Sequence, residues 1–382
     1  MSKKPENHRE DVAGRANVED TPELLAYYNE LDAMDAGALW TVANKIEPWE
    51  PKSTSIPVIW RYAGLREHVL RSVDLVTPEK AGRRVVYFNN PGRTDVAAAV
   101  GWLYSGLQVM NPGETASAHR HSATAVRFII EGSGAYTVVD GHKMNLGAND
   151  FVLTPNGTWH EHGVAADGTP CIWQDGLDIP LMNALEANFY EVHPELQQAV
   201  GYEVDDMTKT WGNPGLLPSG DEWQKPYSPM YKYEWAPTYE ALSRYASTTD
   251  GSPFDGVMME YVNPVDGGSV TKTLGASMQM LRPGEHTKAH RHTGSYLYHV
   301  TKGSGHSIIN GQRFDWKEHD IFCVPSWAWH EHANASDRED ACLFCLNDLP
   351  VMRSLGIYRE QAFGENGGHQ PSSDALTSRK DK

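Results

Sequence analysis

Pro112-Gly113-Glu114, then His119-Arg120-His121, and further on Trp159-His160-Glu161-His162-Gly163: these pieces, all within 111–163, decide the fold. Between the two histidine clusters lie short apolar runs, Val126–Ile130, Ala135–Val139 and Phe151–Thr154. They are punctuated by Gly132-Ser133-Gly134 and Asp140-Gly141. Runs of this length between glycine turns read as short β-strands. In a strand, residues two apart share a face, so His119 and His121 project together and Arg120 faces away. His160, from a later strand or turn, completes a face of three imidazoles. Imidazole suits iron, copper, nickel and zinc, and three ligands leave coordination positions open for small molecules.

The same pattern occurs twice. Gln279-Met280-Leu281-Arg282-Pro283-Gly284-Glu285 leads into His290-Arg291-His292, and Trp329-His330-Glu331-His332 closes the second copy. The offset is 171 residues for His119/His290 and Gly132/Gly303, and 170 for His160/His330, so one residue is deleted between. The match continues from Cys171-Ile172-Trp173 to Cys342-Leu343-Phe344 and from Pro180-Leu181-Met182 to Pro350-Val351-Met352. Two copies at this period predict two tandem domains of one all-β fold, each a β-barrel or jelly-roll. Solenoid repeats are far shorter.

A chain of 382 residues holds two domains with real cores. The net charge of −17 argues against nucleic acid and against anionic membranes as partners. No run approaches a membrane span, and the polar start Met1-Ser2-Lys3-Lys4-Pro5-Glu6 lacks the apolar core of a secretory signal. The cysteines, Cys171, Cys323, Cys342 and Cys345, sit among apolar strand residues. Cys342 and Cys345 are a CxxC by spelling, but strand alternation puts them on opposite faces. A reducing cytoplasm is the expected location.

The expected organisation is an N-terminal arm with helices (1–82), a first barrel holding the active site (83–186) and a proline- and aromatic-rich linker (187–257). A second barrel (258–362) and a disordered polar tail (363–382) follow. Thr21-Pro22 reads as an N-cap and first helical residue. Further helices are predicted over 64–72 and 238–245. The arm shows no repeat partner of matching character.

These spacings resemble the cupin motifs: Gly113, His119, His121 and Gly132 for the first, Pro155, Gly157 and His160 for the second. Many metal-binding cupins add a glutamate soon after the HxH pair. Here Ala125 and Val126 stand there, so three histidines remain without that carboxylate. The second half also lacks it, and Trp327 replaces the motif glycine. More specifically, the chain resembles the gentisate 1,2-dioxygenase family of bicupins, which includes salicylate and 1-hydroxy-2-naphthoate dioxygenases. The carrying residues are Tyr104-Ser105-Gly106-Leu107-Gln108, Arg127-Phe128-Ile129-Ile130-Glu131-Gly132, WHEHG at 159–163 and Trp173-Gln174-Asp175-Gly176-Leu177-Asp178-Ile179-Pro180. The resemblance implies ferrous iron, one per chain, with a candidate second ion in the C-terminal barrel, and a homotetramer. It implies insertion of both atoms of O2 into gentisate, opening the ring between the carboxyl-bearing carbon and the adjacent hydroxylated carbon to give maleylpyruvate.

Three neutral ligands leave the ion's charge uncancelled, which favours an anionic ortho-hydroxy acid, and holding such a ring at the metal supplies proximity. His119, His121 and His160 are therefore the expected metal ligands, with His290, His292 and His330 as the second set. Arg127, an even step from His121, is expected to grip the substrate carboxylate, with Arg83 as a similar candidate. His162 is expected to hydrogen-bond a substrate or oxygen atom, Gln108 to line the pocket, and Asp175 to orient Arg127 or His162. Tyr104 and Gly106 are expected to shape the ring slot, the glycine leaving room. In the second half Tyr298 replaces Arg127 and Leu346 is read opposite Asp175, which favours the first barrel for catalysis. Competing substrates are salicylate and 1-hydroxy-2-naphthoate. An oxalate-decarboxylase-like enzyme is opposed by the missing glutamates, a storage bicupin by the ligand sets, and a metal-dependent sensor by the absence of a DNA-binding pattern.

Overall fold

The computed structural model describes residues 19–372 except Asp221. The start of the arm up to residue 18 and the expected disordered tail from 373 lie outside the described residues. Residues 1–52 and 53–382 form separate compact units. In the first unit, helix Pro22–Asp32 is capped by Thr21, whose hydroxyl accepts the Leu24 N–H at 3.2 Å, and Pro22 stands at its first turn as the sequence predicts. A second helix, Leu39–Ile46, places the Trp40 indole N–H on the Tyr28 hydroxyl at 2.8 Å.

The second unit contains both barrels. In the first, strands Tyr104–Met110, Ala125–Val139, Phe151–Thr154 and His160–Leu177 lie side by side, with Val85–Tyr87 at one edge. The strand Thr115–His121, which carries the HxH pair, pairs with His160–Leu177 and sets His119 directly opposite His160. The second barrel repeats this with Gly275–Leu281, Tyr296–Lys302, Ile321–Val324 and Ala341–Asn347 in one sheet, and His290–His292 opposite His330–Asn334 in another. A shared apolar core joins them, with Phe128 stacked on Phe344 at 4.3 Å.

The barrels exchange elements reciprocally. Strand Val58–Trp60 of the N-terminal arm pairs with Ile321–Val324 of the second barrel, and strand Lys232–Tyr233 of the linker pairs with Phe151–Thr154 of the first. A helix follows each strand: Tyr62–Leu75 and Trp235–Ala246. The Tyr62 N–H donates to Asp320 Oδ1 and the Trp235 N–H to Asp150 Oδ1, both at 3.0 Å, so a buried carboxylate meets the exposed amides of each helix start. Val69 and Leu242 are the fully buried anchors of the two helices. The arm therefore has a repeat partner after all. It was hidden because only the burial pattern and the capping position repeat, not the residue identities.

Two boundaries and one residue correspondence need correcting. The expected linker yields Tyr190–Val192, which pairs with Thr115–His121, to the first barrel, as Glu360–Ala362 pairs with His290–His292 in the second. Residues 364–372, expected to be disordered, lie against the second barrel. There Gln370 is buried, its amide N–H donates to Glu331 Oε1 at 2.9 Å, and Gly311 N–H donates to its side chain at 2.9 Å. Gln198 makes the matching bonds to Glu161 and from Gly141 in the first barrel. The polar, glycine-rich composition is thus that of a clamp made largely through backbone groups. Finally, the register places Cys345, not Leu346, at the position of Asp175: Arg127 pairs with Asp175 and Tyr298 with Cys345. The deletion before His330 carries the 170-residue offset through the last strand, so Ile172, not Cys171, corresponds to Cys342.

Candidate functional site

The three histidines of the first barrel are held in one orientation by their own backbone. His119 Nδ1–H donates to the Ser117 carbonyl (2.6 Å), His121 to Ala123 (2.7 Å) and His160 to Thr158 (3.0 Å). Each bond places the ring proton on Nδ1 and leaves Nε2 with its lone pair as an acceptor. The rings pack with centroids 4.2 Å apart for His119/His160 and 4.8 Å for His121/His160. The Nε2 atoms of His121 and His160 are buried without a hydrogen-bond partner. Orphaned acceptors of this kind are costly unless something occupies the space between them, and three convergent lone pairs fit a metal ion.

Burial pushes His119 down to about 3 and His121 to about 4, with the Arg83 charge adding to both, and holds His160 well below the usual imidazole range. All three are neutral at neutral pH, as ligands must be. A group whose folded pKa is depressed contributes stability above its unfolded pKa and loses it as pH falls towards the folded value. The metal-free protein is therefore expected to lose stability progressively from about pH 6.5 downwards. Denaturant melts at stepped pH check this; a flat midpoint between pH 7 and pH 4 would contradict it.

Beside the triad lies a cavity of ≈ 390 Å³ lined by Arg83, Val85, Tyr104, Gln108, His121, Ala125, Arg127, Asp175, Leu177 and Tyr190, among others. Its floor is one sheet face, since rows of paired residues run Val85–Gln108, Tyr104–Leu177–Ala125 and Asp175–Arg127 across four strands. Arg127 is 2% exposed. It donates to Thr154 Oγ1 at 2.6 Å and lies with Nε 3.3 Å from Asp175 Oδ1. Arg83 brings Nη1 to 2.7 Å from His119 Nε2, so its guanidinium and a metal ion compete for that lone pair.

His162 is fully buried. Its Nε2 lies 2.9 Å from the Gln108 amide nitrogen and its ring meets Trp173 edge-on. With the amide as donor, the His162 proton sits on Nδ1, which has no partner. Gln108 lines the cavity, so His162 reaches it through Gln108. Gly106 departs from expectation. It shares the row of Asp175 and Arg127, but a Cβ there would lie 2.7 Å from Tyr87 Cα and 2.8 Å from the Val86 carbonyl. The room it leaves is filled by the neighbouring strand, not by the slot. Tyr104, its ring 6.0 Å from that of Tyr87, does line the cavity, and burial pushes its hydroxyl up to about 12.

Several lining residues escaped the sequence reading. Asn188, Phe189 and Tyr190 form the far wall, and Tyr190 stacks on His119 at 5.3 Å. Extending the 170-residue offset to Tyr190/Glu360 would have drawn them into the barrel.

The second triad is set differently. His330 Nδ1–H donates to Ala328 (3.0 Å), but His290 Nδ1 lies 3.3 Å from Glu360 Oε1 and its Nε2 3.6 Å from Asp255 Oδ1. Carboxylates are thus present there, from a strand and a turn that do not carry the motif. Tyr296 stands at the place of Ala125, and its ring packs 4.5 Å from His292, so an aromatic side chain fills the space that the first barrel keeps open.

The Cupin domain family matches residues 106–180 and 277–347. The chain is 38% identical over 354 residues to the 5-aminosalicylate 1,2-dioxygenase of a Comamonas species, covering 91% of this chain and 92% of that one. It is 34% identical over 341 residues to gentisate 1,2 dioxygenase 1 of Aquipseudomonas alcaligenes, covering 89% and 96%. Its fold is similar, with a TM-score of 0.84 and 31% identity, to a crystal structure of a variant salicylate 1,2-dioxygenase from Pseudoaminobacter salicylatoxidans in complex with gentisate. That match covers 91% of this chain and 97% of the other.

Proposed function

Because the chain belongs to the gentisate 1,2-dioxygenase family of ring-cleaving bicupin oxidoreductases, we propose that it opens the ring of gentisate between the carboxyl-bearing carbon and the adjacent hydroxylated carbon, giving maleylpyruvate. The observation that carries this reading is the juxtaposition of three convergent imidazole nitrogens with two arginines, Arg83 and Arg127, at one cavity. A ferrous ion held by His119, His121 and His160 supplies, when bound, the positive centre and the redox chemistry that O2 insertion requires.

The protein's own groups then bind and orient. Arg127, tethered by Thr154 and Asp175, presents a fixed guanidinium to the substrate carboxylate, and the fork geometry favours two parallel bonds. Tyr104, kept protonated, is a hydrogen-bond donor to a ring oxygen. His162 holds the Gln108 amide in one orientation. Leu177, Ala125 and Val85 give the ring an apolar bed and exclude water. The four cysteines are buried and unpaired, which suits a cytoplasmic setting, and a homotetramer belongs to the same reading. No described helix is long and apolar enough to cross a membrane.

The likeness to the 5-aminosalicylate enzyme favours a second reading, in which salicylates lacking the para hydroxyl are opened; 1-hydroxy-2-naphthoate is the bulkier alternative. Oxygen uptake by iron-loaded protein is compared with gentisate, salicylate, 5-aminosalicylate and 1-hydroxy-2-naphthoate. Uptake with gentisate above the others is expected. Bound iron without uptake on any of them returns the protein to the sensor class.

The second triad is proposed to hold metal without turning over substrate, since Tyr298 and Cys345 replace Arg127 and Asp175 and Tyr296 fills the slot. His290→Ala is expected to lower the metal content by up to half and to spare turnover. Loss of turnover with intact folding places catalysis in the second barrel.

A further inference from the structure

We propose a third metal site, outside both triads, in which His286, Glu331 and His369 bind a zinc-class divalent ion and pin the C-terminal segment to the second barrel. Glu331 Oε2 lies 3.4 Å from His286 Nε2 and 2.7 Å from His369 Nδ1. One ligand atom from each of the three residues lies within 4.8 Å of the others. The carboxylate is wholly buried, whereas the imidazoles are 39% and 35% exposed, so an ion reaches the site from solvent and meets a desolvated anion behind it. Glu331 Oε1 is fixed by the Gln370 N–H at 2.9 Å, which leaves Oε2 to the two imidazoles. Two imidazoles and a carboxylate are a donor set that zinc accepts with a fourth ligand. His306 stands next to them: it pairs across to Ala333, as His286 does from the other side, and its ring lies 5.7 Å from that of His286.

The first barrel is an internal control. Its clamp is built the same way, with the Gln198 N–H on Glu161 Oε2 and the Ala118 N–H on the Leu196 carbonyl, matching Gln370 on Glu331 and Ala289 on Gly368. The positions of His286, His306 and His369 are occupied there by Thr115, Ala135 and Gln197. The carboxylate and the clamp are thus common to both halves, and three histidines have been gathered around them in one half only. Holding the segment needs no histidine at these three positions, since the first barrel does it with Gln198. The extra imidazoles therefore call for a separate role, and a cation is what they and the buried carboxylate jointly fit.

The repeat also supplies the variants, since the first barrel's own residues are tolerated at these places. Zinc is counted after equilibrium dialysis on the full chain and on His286→Thr and His369→Gln. The two triads are intact in all three proteins, so the difference isolates this site. The full chain is expected to hold one zinc more than either variant, and zinc is expected to slow hydrogen exchange of the Gln370 amide in the full chain alone. An unchanged zinc count in both variants overturns the site. A count that falls without any zinc-dependent protection of Gln370 overturns the pinning role. Neither readout uses turnover, so failure here is distinct from failure of the proposed activity.

Discussion

His119→Ala is expected to leave a folded protein with neither first-barrel metal nor ring-opening activity. His119 sits at the centre of the triad, paired directly with His160 across the strands and fixed by the Ser117 carbonyl. Removing an outer partner of a ligand already costs 10- to 100-fold in metal affinity or activity, so removing the ligand itself is expected to cost more than about 100-fold. The backbone pairing of Thr115–His121 does not depend on the imidazole, and a buried polar ring bonded to Ser117 and Arg83 is lost rather than a packed apolar group. Metal per chain, circular dichroism and oxygen uptake are measured together. Full uptake by a metal-depleted His119→Ala protein would falsify the assignment of catalysis to the first barrel.

Arg127→Ala is expected to raise KM for gentisate by about 30-fold or more, the equivalent of the 2–5 kcal/mol typical for truncating one partner of a buried charged pair. Two costs contribute. The substrate carboxylate loses its bidentate partner, and Asp175, already pushed up by burial, loses the cation that opposes that shift. Asp175→Asn separates them: it keeps the guanidinium but frees its Nε side, so a smaller rise in KM is expected, seen mainly as looser positioning. Equal KM values for wild type and Arg127→Ala mean that Arg83 or another group holds the carboxylate.

The shared face of each HxH pair was legible because strand alternation is a local rule. His160 joins His119 and His121 only through the pairing of its strand with Thr115–His121, which sets it opposite His119. The repeat was legible wherever chemistry preserved residue identity. It became illegible where only shape was preserved. The helices Tyr62–Leu75 and Trp235–Ala246 share a buried anchor and an aspartate at the start, contributed by the opposite barrel, yet few identical residues. The clamp made by Gln370 read as a polar tail because its bonds run through backbone groups, which any sequence supplies.

The sequence by itself determined the two repeated all-β halves and the shared face of each HxH pair, because these follow from period-two alternation and from residue types that carry their chemistry with them. Only the tertiary structure decided which barrel keeps an open cavity, since that depends on a ring, Tyr296, filling the space beside His292. It alone decided that Gly106 makes room for a strand rather than for a substrate, that Arg83 reaches His119, and that His286, His306 and His369 gather around Glu331. These are contacts between segments far apart in the chain. Their geometry is set by the close packing of whole elements, which no local pattern of residues encodes.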